Sequence, residues 1–247
     1  MNAPYVRRAV LDRPGVPSFD DYPFSLPVVR ELSELELHPR VTFLVGENGS
    51  GKSTLLEAIA TTWGFNPEGG TKNFNFSTRS SHSVLNEHLR LVKSIHKPRD
   101  GFFLRAESFF NVATNIEDMD SDSILGAPVI GSYGGVSLHE QSHGESFFAL
   151  LMHRFGGHGF YVLDEPEAAL SPSRQLAMIA RMHELVRARS QFLIATHSPI
   201  LMSYPDSWIY QIGETGVERV EYEDTDHYRI TRTFLDNPAK YLDELLD

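Results

Sequence analysis

Residues 46–53 spell G-x-x-x-x-G-K-S, and each residue type in that spacing suits a phosphate. Gly46, Gly49 and Gly51 let the backbone turn with positive φ and come close to a ligand. The N–H groups of Glu47, Asn48, Gly49, Ser50 and Gly51 can then point inward as an anion nest. A helix opening beside Gly51 adds its positive end. Lys52 can reach the outer phosphates, and the Ser53 hydroxyl, with Thr54 beside it, can ligate Mg²⁺. A glycine-rich turn with a chance lysine is the plain alternative.

A second acidic site follows at "FYVLDEP", residues 160–166. Two adjacent carboxylates end an apolar run there. Asp164 is placed to hold the Mg²⁺ shell, and Glu165 to orient or deprotonate an attacking water. An ordinary acidic turn before a proline would look the same in isolation. His197, in "ATHSP", closes a third apolar run. Two rival chemistries fit less well. "SHGES" looks like a hydrolase nucleophile elbow, but Phe147 and Phe148 stand where a glycine is needed after Ser146. His139 and His143 have the i, i+4 spacing of zinc ligands, and His153 and His158 lie downstream, yet no third ligand is evident.

These groups need elements to hold them. "VTFLVG" reads as a buried strand leading into a helix over residues 51–63, with Leu55, Leu56, Ile59 and Trp63 on one face. "GESFFALLMHRF" reads as a helix, "GFYVLDEP" and "QFLIATHSP" as strands. Between those strands a long helix starts at Ser171 as N-cap with Pro172 in its first turn. Strands alternating with helices predict an α/β fold with a parallel sheet covered on both faces. The N-terminal runs "YVRRAVL", "LPVVREL" and "LELHP" look strand-like and suggest a β part of their own. Residues 64–137 read as an inserted, largely helical subdomain, with a helix over "SVLNEHLRLVKSI" and a strand at "GFFLRAE". The C-terminal part predicts a hairpin turning at Glu214–Gly216 and a last helix capped by Asn237.

The chain has 247 residues, no cysteine and a net charge of −11. That length allows one large domain or two small ones, and the composition fits a globular protein, excludes a disulfide framework, and speaks against a general nucleic-acid surface while leaving room for a local basic patch. No signal-peptide-like or membrane-spanning run is present, so the expectation is a cytoplasmic protein without membrane insertion.

In order, the motifs resemble those of the ABC-type ATPase family. The phosphate loop is followed by "SHGES", residues 142–146, where the family has its signature, then by "DEPEAALS" and by the histidine of "ATHSP". The match spans roughly residues 41–200. Its wording is more similar to soluble SMC- and OLD-type heads than to transporter subunits. The resemblance implies a P-loop NTPase fold over 1–247 with ATP and Mg²⁺ as ligands. Gly46–Thr54 would bind nucleotide. Lys52, Glu165 and His197 would be catalytic, and Ser53, Asp164 and Glu107 would stand on the metal side. It also implies an ATP-dependent homodimer, in which Ser142 and Gly144 touch the γ-phosphate held by the other subunit, and it leaves room for a further protein partner. Departures from the family pattern are His143 and Glu145 in the signature, Ser171 in place of an aspartate, and the lack of a clear Q-loop glutamine. Tyr22 and Phe24 lie at about the distance of the family's adenine-stacking aromatic, with core packing as the expected job of both. The readings carried forward are an ATPase, a nucleotide-held protein clamp with little turnover, and the energising subunit of a transporter.

Overall fold

The computed structural model describes residues 4–71, 84–106 and 143–246. Two sheets organise them. The larger has the order β5-β6-β7-β3-β8-β9 and the smaller β2-β1-β4. In the larger sheet β3 is Val41–Gly46, β5 is Asp100–Arg105, β6 is Gly159–Asp164, β7 is Gln191–Ala195, β8 is Trp208–Gly213 and β9 is Gly216–Val220. All its pairings are parallel except β8–β9, an antiparallel hairpin whose closing pair is Gly213↔Gly216, as expected. The smaller sheet is antiparallel and consists of β1 (Val6–Leu11), β2 (Glu34–Glu36) and β4 (Leu89–Lys93).

Every residue of β3 and β6 is buried. A parallel strand covered on both faces must be apolar throughout, and "VTFLVG" and "GFYVLD" are nearly so. Their side chains alternate between two cores. Val41, Phe43 and Val45 pack with α3 (His143–Ala149, continuing as a π turn through Leu150–Arg154) and α4 (Pro172–Arg187). Leu44, Phe160, Val162 and Leu193 pack on the opposite side with α2 (Lys52–Trp63) and the small sheet. Leu55, Leu56, Ile59 and Trp63 are all buried there, so the predicted face of α2 is the one observed. Three layers result, with the large sheet in the middle.

Two local expectations need correction, and a third holds with one qualification. "LPVVREL" forms not a strand but a helical turn, α1 (Pro27–Arg30), because Pro27 sits at its first position, where the missing N–H costs nothing. "SVLNEHLRLVKSI" is a 3₁₀ turn over Val84–His88 followed by β4. The pairing of β4 with β1, Ala9↔Leu91 at its centre, overrides the local helical preference and buries Leu89 and Leu91. Ser171 and Pro172 do open α4, but the Ser171 hydroxyl makes no capping bond and meets Ser173 Oγ at 3.1 Å instead.

Within the stretch 64–137, described residues therefore supply strands to both sheets, and residues 72–83 and 107–137 lie outside the described set. The chain ends in α6 (Asp226–Asp236) and α7 (Pro238–Leu246); the Asn237 side chain caps the latter through Lys240 N–H at 3.3 Å. Between β7 and β8 lies the short α5 (Pro199–Met202). Among the described residues no helix is long and apolar enough to cross a membrane.

One side chain joins the two sheets. Gln191 Oε1 accepts from the N–H groups of Tyr5 and Val6 at 2.8 and 3.0 Å. Its Nε2 donates to Val6 O at 2.8 Å and His38 O at 3.0 Å. The amide is saturated and buried. Gln191→Leu keeps the bulk but removes four bonds and strands buried backbone groups. The expected result is a loss of about 3 kcal/mol or more in stability, read from the urea unfolding midpoint.

Candidate functional site

The order β6-β7-β3 brings three carboxyl ends side by side, where α/β folds gather their ligands. Those ends carry Asp164 and Glu165, then Thr196 and His197, then the glycine loop. At the loop, Gly46 has φ +151°, and a Cβ there would meet Ile212 O at 2.5 Å. Gly51 has φ +93°, and its Cβ would meet Val28 Cγ1 at 2.6 Å. Only glycine serves at either place. The loop is thus closed by β8 on one side and α1 on the other.

Lys52 opens α2 with its side chain buried. Its Nζ folds back to donate to Gly46 O at 2.9 Å and Glu47 O at 3.0 Å. Burial lowers the lysine pKa, and Glu165, Asp164, Glu47 and Glu167 oppose that shift. The ammonium therefore stands in a ring of carboxylates and carbonyls at the mouth of the loop. One residue on, Ser53 Oγ donates to Asp164 Oδ1 at 2.9 Å. Asp164 Oδ2 lies 3.3 Å from Arg105 Nε, and Arg105 Nη1 meets Glu57 Oε2 at 2.6 Å. A hydroxyl and a carboxylate side by side form a hard oxygen pair. Mg²⁺ keeps several waters and takes only one or two protein carboxylates, so this donor set fits it. A caged metal is a different matter: among the described residues no group of three or more His, Asp or Glu could hold one. Of the histidines weighed for zinc, His139 lies outside the described residues.

Glu165 has φ +48°, a left-handed backbone that costs a non-glycine residue about 1–2 kcal/mol. Its N–H donates to Ala195 O at 2.9 Å, which holds the strained turn in place. The carboxylate Oε1 stands 3.3 Å from His197 Nε2. That nitrogen is buried and has no hydrogen-bond partner. A buried ring nitrogen left without a hydrogen bond is a polar group that a ligand can satisfy. A cavity of about 240 Å³ opens here, lined by Tyr22, Asn48, Lys52, Ser53, Thr54 and Glu165 among others.

Most of the expected residues converge. Asn48, Gly49, Gly51–Thr54 and Glu165 line the cavity, and Gly46, Glu47, Asp164 and His197 each contact one of them. Gly144 does not line it; a Cβ there would meet Ala169 O at 2.6 Å, so it packs on the turn after Glu165. Glu145, in the same signature segment, faces Arg174 at 3.6 Å. Ser142 and Glu107 lie outside the described residues. Phe24 is 1% exposed and belongs to the core, as expected, whereas Tyr22 is 67% exposed and lines the cavity. The expectation of core packing for Tyr22 is therefore wrong, because the turn preceding α1 projects it over the loop.

Three participants escaped the sequence reading. Glu167 Oε1 accepts from His197 N–H at 2.5 Å, and burial raises its pKa. It was legible as the second glutamate of "DEPE". Arg105 reaches Asp164 through the β5–β6 register, Arg105↔Asp164. His227, from the first turn of α6, places its Nε2 2.9 Å from His197 Nδ1. No local pattern marks either of the last two.

A family model described as "AAA domain, putative AbiEii toxin, Type IV TA system" matches residues 75–203, and one described as "AAA domain" matches residues 23–111. Among solved structures, the SMC head domain from Thermotoga maritima is 16% identical, covering 87% of this chain and 99% of that one, with a TM-score of 0.47. CbiO1 from Clostridium perfringens, part of the ABC transporter complex CbiONQ, is 17% identical over 83% of this chain and 87% of its own, with a TM-score of 0.47. A comparison with curated proteins finds no match.

Proposed function

The chain belongs to the AAA-domain family of ATPases whose model covers residues 75–203, and from that membership we propose that it is a Mg²⁺-dependent ATPase that dimerises on ATP. One observation carries the reading. Lys52, Ser53 and Glu165 line a single cavity, with Asp164 bonded to Ser53 and His197 Nε2 3.3 Å from Glu165 directly behind them.

In this reading the loop N–H groups and Lys52 hold the β- and γ-phosphates, and Tyr22 offers its ring to the base. Lys52 exchanges the Gly46 and Glu47 carbonyls for phosphate oxygens. Ser53 and Asp164 would hold Mg²⁺, which supplies charge neutralisation to the phosphates when bound. Glu165 orients a water in line with the γ-phosphorus and takes its proton as the new P–O bond forms and the bond to the ADP oxygen breaks. His197 Nε2 donates to a γ-phosphate oxygen. Ser142 and the backbone at Gly144 act on the nucleotide of a second copy. Residues 64–137 are the part proposed to carry specificity for a further protein partner.

The test is phosphate release by the purified chain alone. Steady release with Mg-ATP that stops when EDTA removes the metal is the expected outcome. Nucleotide binding without release would instead favour the clamp with little turnover.

A further inference from the structure

His227 touches the proposed chemistry without belonging to it. Its place is set from below. Thr225 caps α6 through Tyr228 N–H at 3.3 Å, and Asp226 N–H donates to Gln211 Oε1 of β8 at 3.1 Å. The next residue is then directed at His197. The two rings have centroids 5.1 Å apart at 58°, with Nε2 of one facing Nδ1 of the other at 2.9 Å.

One of those nitrogens must carry the shared proton. Suppose His197 donates from Nδ1. As a neutral ring its Nε2 is then bare, and a lone pair faces the Glu165 carboxylate at 3.3 Å. The proton of His227 must also move to Nδ1, a buried atom with no partner. Suppose instead that His227 donates from Nε2. Its bare Nδ1 becomes the buried unpartnered atom, and an orphaned acceptor is tolerated better than an orphaned donor. His197 then carries its proton on Nε2, facing Glu165. Each arrangement leaves one buried N–H without a hydrogen bond, but only the second sets that N–H beside a carboxylate, 3.3 Å from Glu165 Oε1, and this decides between them. Neutrality of His227 agrees with it: burial, followed by His197, lowers its pKa, Lys52 adds to this, and Glu47 and Asp226 oppose it.

We propose that His227 is a positioning residue that holds His197 as its Nε2–H tautomer, so that the cleft presents a proton donor to the γ-phosphate. This rests on the assignment of His197 to that phosphate; the hydrogen bond itself does not.

The experiment uses the full chain labelled with ¹⁵N-histidine and long-range proton–nitrogen correlation without nucleotide. His197 is expected to show a protonated Nε2 and a bare Nδ1. In His227→Phe the single tautomer should give way to an average of two, and ATP turnover should fall about 10- to 100-fold, the usual cost of losing an outer partner. Nucleotide affinity should change less than threefold. His227→Gln, whose amide can donate, should restore most of the rate and the tautomer. A proton on Nδ1 of His197 in the wild type, or a tautomer unchanged in His227→Phe, overturns the proposal. Should His227→Phe not fold, the wild-type spectrum and His227→Gln decide it. A wild-type chain that shows the expected tautomer but hydrolyses nothing would sink the ATPase reading and leave the hydrogen bond standing.

Discussion

Replacing Glu165 with glutamine is expected to lower ATP turnover by about 10²- to 10⁴-fold while leaving ATP bound, the range that general-base positioning commands. Glutamine preserves the shape and can still face His197 at the position now held by Oε1. It cannot take a proton from water. It also removes one of the carboxylates that surround Lys52, so the pull of the site on a polyanion does not weaken. Two measurements read the result. Phosphate release reports the lost step, and titration with a fluorescent ATP analogue reports retained binding. The unhydrolysed nucleotide should also hold two copies together. Size-exclusion chromatography with light scattering should find a dimer with Mg-ATP and a monomer without it, and adding Ser142→Arg should abolish the dimer. Wild-type turnover would reject Glu165 as the base. A nucleotide-loaded monomer would reject the two-copy site.

Lys52→Ala is expected to reduce affinity for Mg-ATP by about 10²- to 10³-fold. Two unit charges about 4 Å apart interact by roughly 4 kcal/mol at an effective dielectric of about 20, which is a factor near 10³. Lys52 is buried at the loop mouth, so salt screens it less than it would a surface lysine. The side chain also braces the loop through Gly46 O and Glu47 O. A thermal melt must therefore accompany the calorimetry, to separate lost charge from a collapsed loop. An unchanged affinity together with unchanged turnover would remove the phosphate-loop assignment.

What the sequence disclosed was what is local. The spacing Gly46–Ser53, the acidic pair after β6 and the histidine after β7 each depend on a few neighbouring residues. The layered parallel sheet followed from alternating strands and helices. What stayed hidden depends on which strands become neighbours. Arg105 meets Asp164 only because β5 pairs with β6 in one register. His227 meets His197 only because β8 lies beside β3 and Gln211 fixes the start of α6. β4 was misread because its partner, β1, lies about eighty residues upstream and decides its conformation. Tyr22 and Phe24 are two residues apart with opposite exposures, a difference that no periodicity in that proline-broken stretch encodes.

Helix α6 buries none of its residues fully, and Ile230, Phe234 and Leu235 face outward. An element with so little burial opens at a small fraction of the global unfolding free energy. In the proposed arrangement the His197 tautomer is held only while α6 is docked. The observed rate is then the rate of a docked copy multiplied by a duty factor. A minor state a few kcal/mol up is populated at about 0.1–10%, so the factor is near one in isolation. Ile230, Phe234 and Leu235 already face outward in the docked helix, so only a contact whose strength differs between the two states moves the factor. The rate of hydrolysis would then become a readout of contacts made on an outer helix, at no cost to the phosphate loop itself.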